Sequence, residues 1–114
     1  MAETWRLLVV DEDSEIRDVV EDLLFERGFV VHQAADVEQA VREMRKSSFE
    51  VLLCHLTLLQ SLRDHLSRCT PAILLPSRVV AMSASGARAA SDRASANLSK
   101  PFTRQRLLDA LRGT

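Results

Sequence analysis

The sequence predicts an α/β domain built on a parallel sheet, and three observations point there. Residues 7–10 and 51–54 are unbroken apolar runs with the length of a strand buried on both faces, the kind found in parallel sheets. Around these runs apolar residues recur at helical spacing, so strands and helices alternate as in right-handed βαβ units. Each run ends on side chains suited to chemistry: Asp11-Glu12-Asp13 after the first and His55 after the second. In an open parallel sheet, ligands gather at the carboxyl ends of the strands. Lys100, set between Leu98-Ser99 and Pro101-Phe102, is a third such point.

Composition narrows the class. At 114 residues the chain is expected to form one domain over 1–114, large enough to bury a core unaided. An apolar content of 46% argues against disorder, and a net charge of −1 supplies no field for nucleic acid or anionic membrane. No apolar run approaches the roughly 20 residues of a membrane helix. The segment Met1-Ala2-Glu3-Thr4-Trp5 leads into too short an apolar run for a signal peptide. The expectation is a cytoplasmic chain, not an enzyme, with no nucleic-acid or membrane partner and no appended output domain. Cys54 and Cys69 lack metal-like or disulfide-framework spacing and are expected to be reduced thiols.

The elements follow in order. Arg6 to Val10 reads as the first strand. Ser14 is placed to cap a helix whose apolar stripe is Ile16, Val19, Val20, Leu23 and Leu24, with Gly28 as its left-handed stop. Phe29-Val30-Val31 is the second strand. Asp36 and Gln39 make a capping-box pattern, and Val37, Ala40, Val41 and Met44 form the inner face of a second helix. Val51 to His55 is the third strand, and Ser61 to Cys69 reads as a short third helix. Two runs compete for the fourth strand: Ala72 to Leu75, bracketed by Pro71 and Pro76, and Val79 to Ser83. Ala87 to Ala96 has the composition of a short helix with little apolar face. Asn97-Leu98-Ser99 is a fifth strand, and Thr103 caps a last helix with Leu107, Leu108 and Leu111 inward. His32 and His65 are expected on the surface.

These residues carry a resemblance. Leu8-Val9-Val10-Asp11-Glu12-Asp13 with Ile16-Arg17, then Gly28-Phe29, then Phe49-Glu50-Val51-Leu52-Leu53, and finally Lys100-Pro101-Phe102 with Leu107-Leu108 stand in the order and spacing of the receiver domain of bacterial two-component response regulators. Over nearly its full length the chain resembles this CheY-like family. The resemblance implies a flavodoxin-like, doubly wound parallel sheet of five strands in the order 2-1-3-4-5, with helices on both faces. It also implies a signalling role. Such domains take a phosphoryl group from a histidine kinase onto an aspartate ending strand three. An acidic pair on strand one binds Mg²⁺, a Ser or Thr ends strand four, and a Lys ends strand five.

Carried over residue by residue, Asp11 and Glu12 match the acidic pair and Lys100 matches the switch lysine, where relatives have a cis bond before the proline. The phosphoacceptor position falls on His55, which is not a carboxylate. Leu59 stands where a Pro usually follows, and the segment from His55 to Lys100 is shorter than the family norm. With Val79 to Ser83 as strand four, Ser83 is the switch hydroxyl and the deletion falls in helix four. With Ala72 to Leu75 as strand four, Pro76 replaces the hydroxyl. The first arrangement is preferred, because Met82-Ser83-Ala84 has the family's ending.

Three readings of His55 remain open, taken in this order. As an imidazolium it neutralises Asp11 and Glu12 in place of a metal ion. As a nucleophile it takes a phosphoryl group itself. As a ligand it joins Asp11 and Glu12 on a transition metal such as Zn²⁺. The expectation is an atypical receiver with a vestigial site, little or no Mg²⁺ binding and no other cofactor. Its work would be protein–protein interaction with a histidine kinase or downstream regulator. A homodimer through the helix-four, strand-five and helix-five face is a further implication of the resemblance. The alternatives are a receiver phosphorylated through another acceptor and a metal site at His55, Asp11 and Glu12.

Overall fold

The computed structural model describes residues 4–71, 73–84 and 94–113. Its strands are β1 (Trp5–Val10), β2 (Phe29–Ala34), β3 (Val51–His55), β4 (Arg78–Ser83) and β5 (Ala96–Ser99). They form one parallel sheet in the order β2-β1-β3-β4-β5. The helices are α1 (Ser14–Leu24), α2 (Val37–Lys46), α3 (Leu56–Ser67) and α4 (Arg104–Arg112). The doubly wound, CheY-like fold implied by the resemblance is the one observed. Among the described residues no helix is long and apolar enough to cross a membrane.

The unbroken apolar runs have the cause expected of them. Alternate residues of a strand point to opposite faces. Leu7, Val9, Val51 and Leu53 pack under α1 and α4, while Leu8, Val10, Leu52 and Cys54 pack under α2 and α3. All eight are fully buried, so neither strand has a face that tolerates a polar residue.

The helices correct several boundary expectations. Asp13, not Ser14, caps α1: its Oδ1 accepts the Glu15 N–H at 2.9 Å. Of the proposed stripe, Val20 and Leu24 are buried, but Val19 lies at the margin and is 44% exposed. Gly28 does not stop this helix, which ends at Leu24 with Phe25 as its cap. The glycine, at φ 89, serves the turn into β2, and its carbonyl accepts the Trp5 N–H at 2.9 Å. At α2, Asp36 Oδ1 accepts the Gln39 N–H at 2.8 Å, while Gln39 Oε1 accepts the Ala35 N–H at 2.9 Å, one residue beyond the N-cap that the standard box uses. Thr103 caps α4 through the Arg106 N–H at 3.1 Å. At the other end of α4, Arg78 Nε and Nη2 both donate to the Ala110 carbonyl, at 3.1 and 2.8 Å.

The middle of the chain departs furthest. The third helix begins at Leu56, five residues before the expected Ser61, and ends at Ser67. Strand four is Arg78–Ser83, so Val79 to Ser83 is the correct alternative. The competing run is not a strand: Ile73 to Pro76 is irregular and Leu74 is 86% exposed. The helix expected over 87–96 lies mostly outside the described residues. Its end is corrected, since Ala96 already belongs to β5. His32, expected on the surface, is half-buried, with Nδ1 3.0 Å from Glu43 Oε1 and its ring edge-on to Phe49. His65 is exposed as expected.

Candidate functional site

Parallel register brings the strand ends to one edge. Val10 pairs with Cys54, His55 with Met82, and Ser83 with Ser99. Asp11, His55, Ser83 and Lys100 therefore stand at the carboxyl ends of β1, β3, β4 and β5. The Asp11 N–H continues the ladder to the Ala34 carbonyl at 3.1 Å, and the Lys100 N–H donates to the Ser83 carbonyl at 2.9 Å. The Lys100–Pro101 peptide bond is cis, as in relatives, and so is Thr70–Pro71.

Asp11 is the centre of this corner and is 3% exposed. Its Oδ2 accepts from Lys100 Nζ at 2.6 Å, a charge-assisted bond between side chains that are only 4% and 16% exposed. Its Oδ1 accepts the Asp13 N–H at 2.9 Å, which shapes the turn that presents Asp13 as the cap of α1. One carboxylate thus anchors the lysine and organises a helix start. Glu12, the other half of the acidic pair, is exposed.

His55 is turned onto its own helix. Its Nδ1 accepts the Thr57 N–H at 3.2 Å and lies 2.9 Å from Thr57 Oγ1, so the imidazole is the N-cap of α3. An N–H pointing at Nδ1 requires a lone pair there, which puts the proton of a neutral ring on Nε2. Lys100, which pairs with Asp11, is the cation that the structure places against this carboxylate. Thr57 was not anticipated; a hydroxyl two residues past a strand-ending histidine was its only trace in the sequence.

The donor set does not fit a cation. Mg²⁺ asks for an octahedron of oxygens, yet residue 55 offers an imidazole whose Nδ1 is committed to Thr57, and the Lys100 ammonium already sits against Asp11 Oδ2. Among the described residues no three His, Cys, Asp or Glu side chains converge on one point, so the grouping of His55, Asp11 and Glu12 as Zn²⁺ ligands is overturned. Cys54, one residue before His55, is a buried free thiol. Burial pushes its pKa up to about 12, with the Asp11 carboxylate adding to the rise and Arg63 opposing it.

A second unanticipated group ties β2 to α1. Gln33 accepts from Arg17 Nη1 at 3.3 Å and donates to Asp18 and Glu21 at 3.2 and 3.1 Å. The buried Arg17 Nε has no hydrogen-bond partner among the described residues.

Comparison with known proteins agrees with the geometry. Residues 7–112 match the family model of the response regulator receiver domain. A protein described as a response regulator from Chloroflexus aurantiacus shares the fold at a TM-score of 0.80 and 23% identity, over 97% of each chain. The chemotaxis response regulator CheY4 of Vibrio cholerae does so at 0.78 and 20%, over 96% of this chain and 98% of that one. NtrX of Brucella abortus, solved with ADP, matches at 0.77 and 24% over 96% of this chain but 26% of its own, so the chain spans about a quarter of that protein. The family match runs from β1 into α4, taking in the whole sheet and its strand-end corner, and this chain belongs to the response regulator receiver domain family.

Proposed function

We propose that this receiver domain has lost phosphotransfer at the usual position and works in two-component signalling as a protein–protein interaction module. One observation carries the reading: the side chain at the end of β3 is an imidazole, and its Nδ1 is used to cap α3. Phosphorylating a receiver needs a carboxylate nucleophile, Mg²⁺ on the incoming oxygens and a cation on the product. Lys100 is placed to be the cation. Residue 55 is not a carboxylate, and the Lys100 ammonium against Asp11 Oδ2 already supplies a positive charge where Mg²⁺ would bring one. The pair Asp11–Lys100 then acts as a fixed internal neutralisation in which Lys100 holds the β5 end against β1. Ser83, at the end of β4, keeps the position of a switch hydroxyl with no phosphoryl group to meet.

The partners that suit this role are a histidine kinase or a downstream regulator in the cytoplasm. A second copy docked along β5 and α4 is the corresponding homodimer. The test is incubation with acetyl phosphate and Mg²⁺, followed by intact mass and the fluorescence of Trp5. The expected result is an unchanged mass and an unchanged signal. One added phosphoryl group mapped to the strand-end corner, on His55 or elsewhere, overturns the reading.

A further inference from the structure

The opposite end of the sheet holds side chains that the site does not use. In this fold the helices run back against the strands, so α2 and α3 end near the starts of β3 and β4. That edge lies one strand length, roughly 16 Å, from Asp11 and Lys100. There we infer a docking surface for an acidic, amphipathic segment of a partner protein, seated between the last turn of α2 and residues 69–71 and 73–76.

One half is a groove of about 230 Å³ whose lining combines Ser47 and Ser48 with Met44, Phe49, Leu74 and Pro76. Ile73 and Leu75 pack against the core beneath α2 and α3. They fix the segment from below and leave Leu74 between them, 86% exposed. This is the run whose strand-like sequence the sheet does not use. An apolar side chain held outward by two anchored neighbours is the kind of group that gains most from a partner's cover.

The basic half is a neighbouring groove of about 480 Å³, whose lining includes Arg45, His65, Arg68, Cys69 and Thr70. The two grooves meet at the last turn of α2, where Met44 lines one and Arg45 the other, and Cys69 and Ile73, one from each lining, pack on the same core beneath. Neither arginine is in an ion pair among the described residues. Arg45 Nη2 reaches only the Cys69 sulfur, at 3.6 Å. Asp64, which also lines this groove, has its Oδ1 engaged by Gln60 Nε2 at 3.0 Å. Two guanidiniums outside any ion pair among the described residues, near an exposed leucine, fit a segment that carries carboxylates on one side and apolar side chains on the other. A polyphosphate or nucleic acid would leave Leu74 uncovered.

A protein occupant here fits the interaction role proposed above but does not depend on the state of His55, so the two readings fail separately. The experiment selects a random peptide library on the whole chain, with counter-selection on a Leu74→Ser/Arg45→Glu/Arg68→Glu variant. Enriched peptides should place Asp or Glu beside Leu, Ile or Phe at helical spacing. Their binding should fall by about tenfold or more in Leu74→Ser and in Arg45→Glu alone. Amide shifts should centre on Met44, Phe49 and Leu74, and circular dichroism should confirm that each variant folds. No enrichment, enrichment of basic peptides, or binding that survives both substitutions overturns the inference. Sedimentation showing a dimer abolished by Leu74→Ser gives the groove to a second copy, and binding to anionic vesicles abolished by Arg45→Glu gives it to lipid; either overturns it as well.

Discussion

The two ends of the sheet handle charge in opposite ways. At the carboxyl end, Asp11 and Lys100 are almost withdrawn from water and satisfy each other at 2.6 Å. At the amino end, Arg45 and Arg68 stand in water with no carboxylate partner among the described residues, next to the exposed Leu74. The first arrangement is committed to the fold: its groups are costly to change and poorly available to anything else. The second contributes little to the fold and is available. In this receiver the residues that hold the structure and those open to a partner lie at opposite ends.

The largest contrast should appear in the two thiols, one at each end. Raising a thiol from 9.0 to about 12 leaves roughly a thousandfold less thiolate at neutral pH, and Cys54 is also fully buried. Native protein treated with iodoacetamide should gain one label, at Cys69, and a second only on unfolding. The same shift makes stability pH-dependent. A folded pKa above the unfolded value gives stability that is fully present below about 9 and lost as pH rises toward about 12. Urea unfolding at pH 8 and pH 11 should show that loss, and Cys54→Ala should lessen it. Equal labelling of the two cysteines would erase the contrast.

Next in size is Asp11→Ala, which strands a nearly buried lysine and frees the Asp13 N–H. Breaking such a pair costs about 3–5 kcal/mol. The double change Asp11→Leu with Lys100→Met should cost less than the sum of its single changes. A loss below about 1 kcal/mol in urea titration would put the pair in the class of surface ion pairs and collapse the comparison.

A third variant asks whether the committed end can be reopened. His55→Asp sets a second carboxylate beside Asp11 and removes the imidazole cap of α3, so it should be less stable than the parent without metal. Mg²⁺ should then stabilise it, by about 2.7 kcal/mol at a hundredfold excess over Kd, where the parent gains almost nothing. Thermal unfolding with and without Mg²⁺ reads the difference. Equal gains in both proteins would show that residue 55 does not face the acidic corner.

The smallest effect belongs to the other end. Leu74→Ser removes a side chain that packs on little and should change stability by no more than about 0.5 kcal/mol. A cost above 1.5 kcal/mol would mean that Leu74 is held by the fold and not presented by it.

Where the sequence was legible, one physical pattern dominated. β1 and β3 need apolar residues on both faces, and α2 and α4 carry an inward stripe behind a side-chain cap, so these elements follow from residue type alone. The misread positions are those where a contact distant in sequence decides. The run at 72–75 has strand composition, but β3 pairs with Arg78–Ser83 and the earlier run is left over. The start of α3 was missed because its cap is a histidine, outside the usual set of Ser, Thr, Asp and Asn. At the candidate site, Asp11 and Lys100 were legible through their placement after apolar runs. The role of His55 was not, because a ring nitrogen can take Thr57 or a carboxylate, and only the turn of the chain at residue 56 decides between them.

Lys100 and Asp11 are 89 residues apart in the chain, and their strands are not neighbours, since β3 and β4 lie between β1 and β5. The bond between them therefore needs β1, β3, β4 and β5 all in place, and closing so long a loop early brings no local contact in return. It belongs to the last stage of assembly. Removing it should leave the refolding rate nearly unchanged and fall on the unfolding rate. The corner that closes last would then set how long the folded molecule lasts.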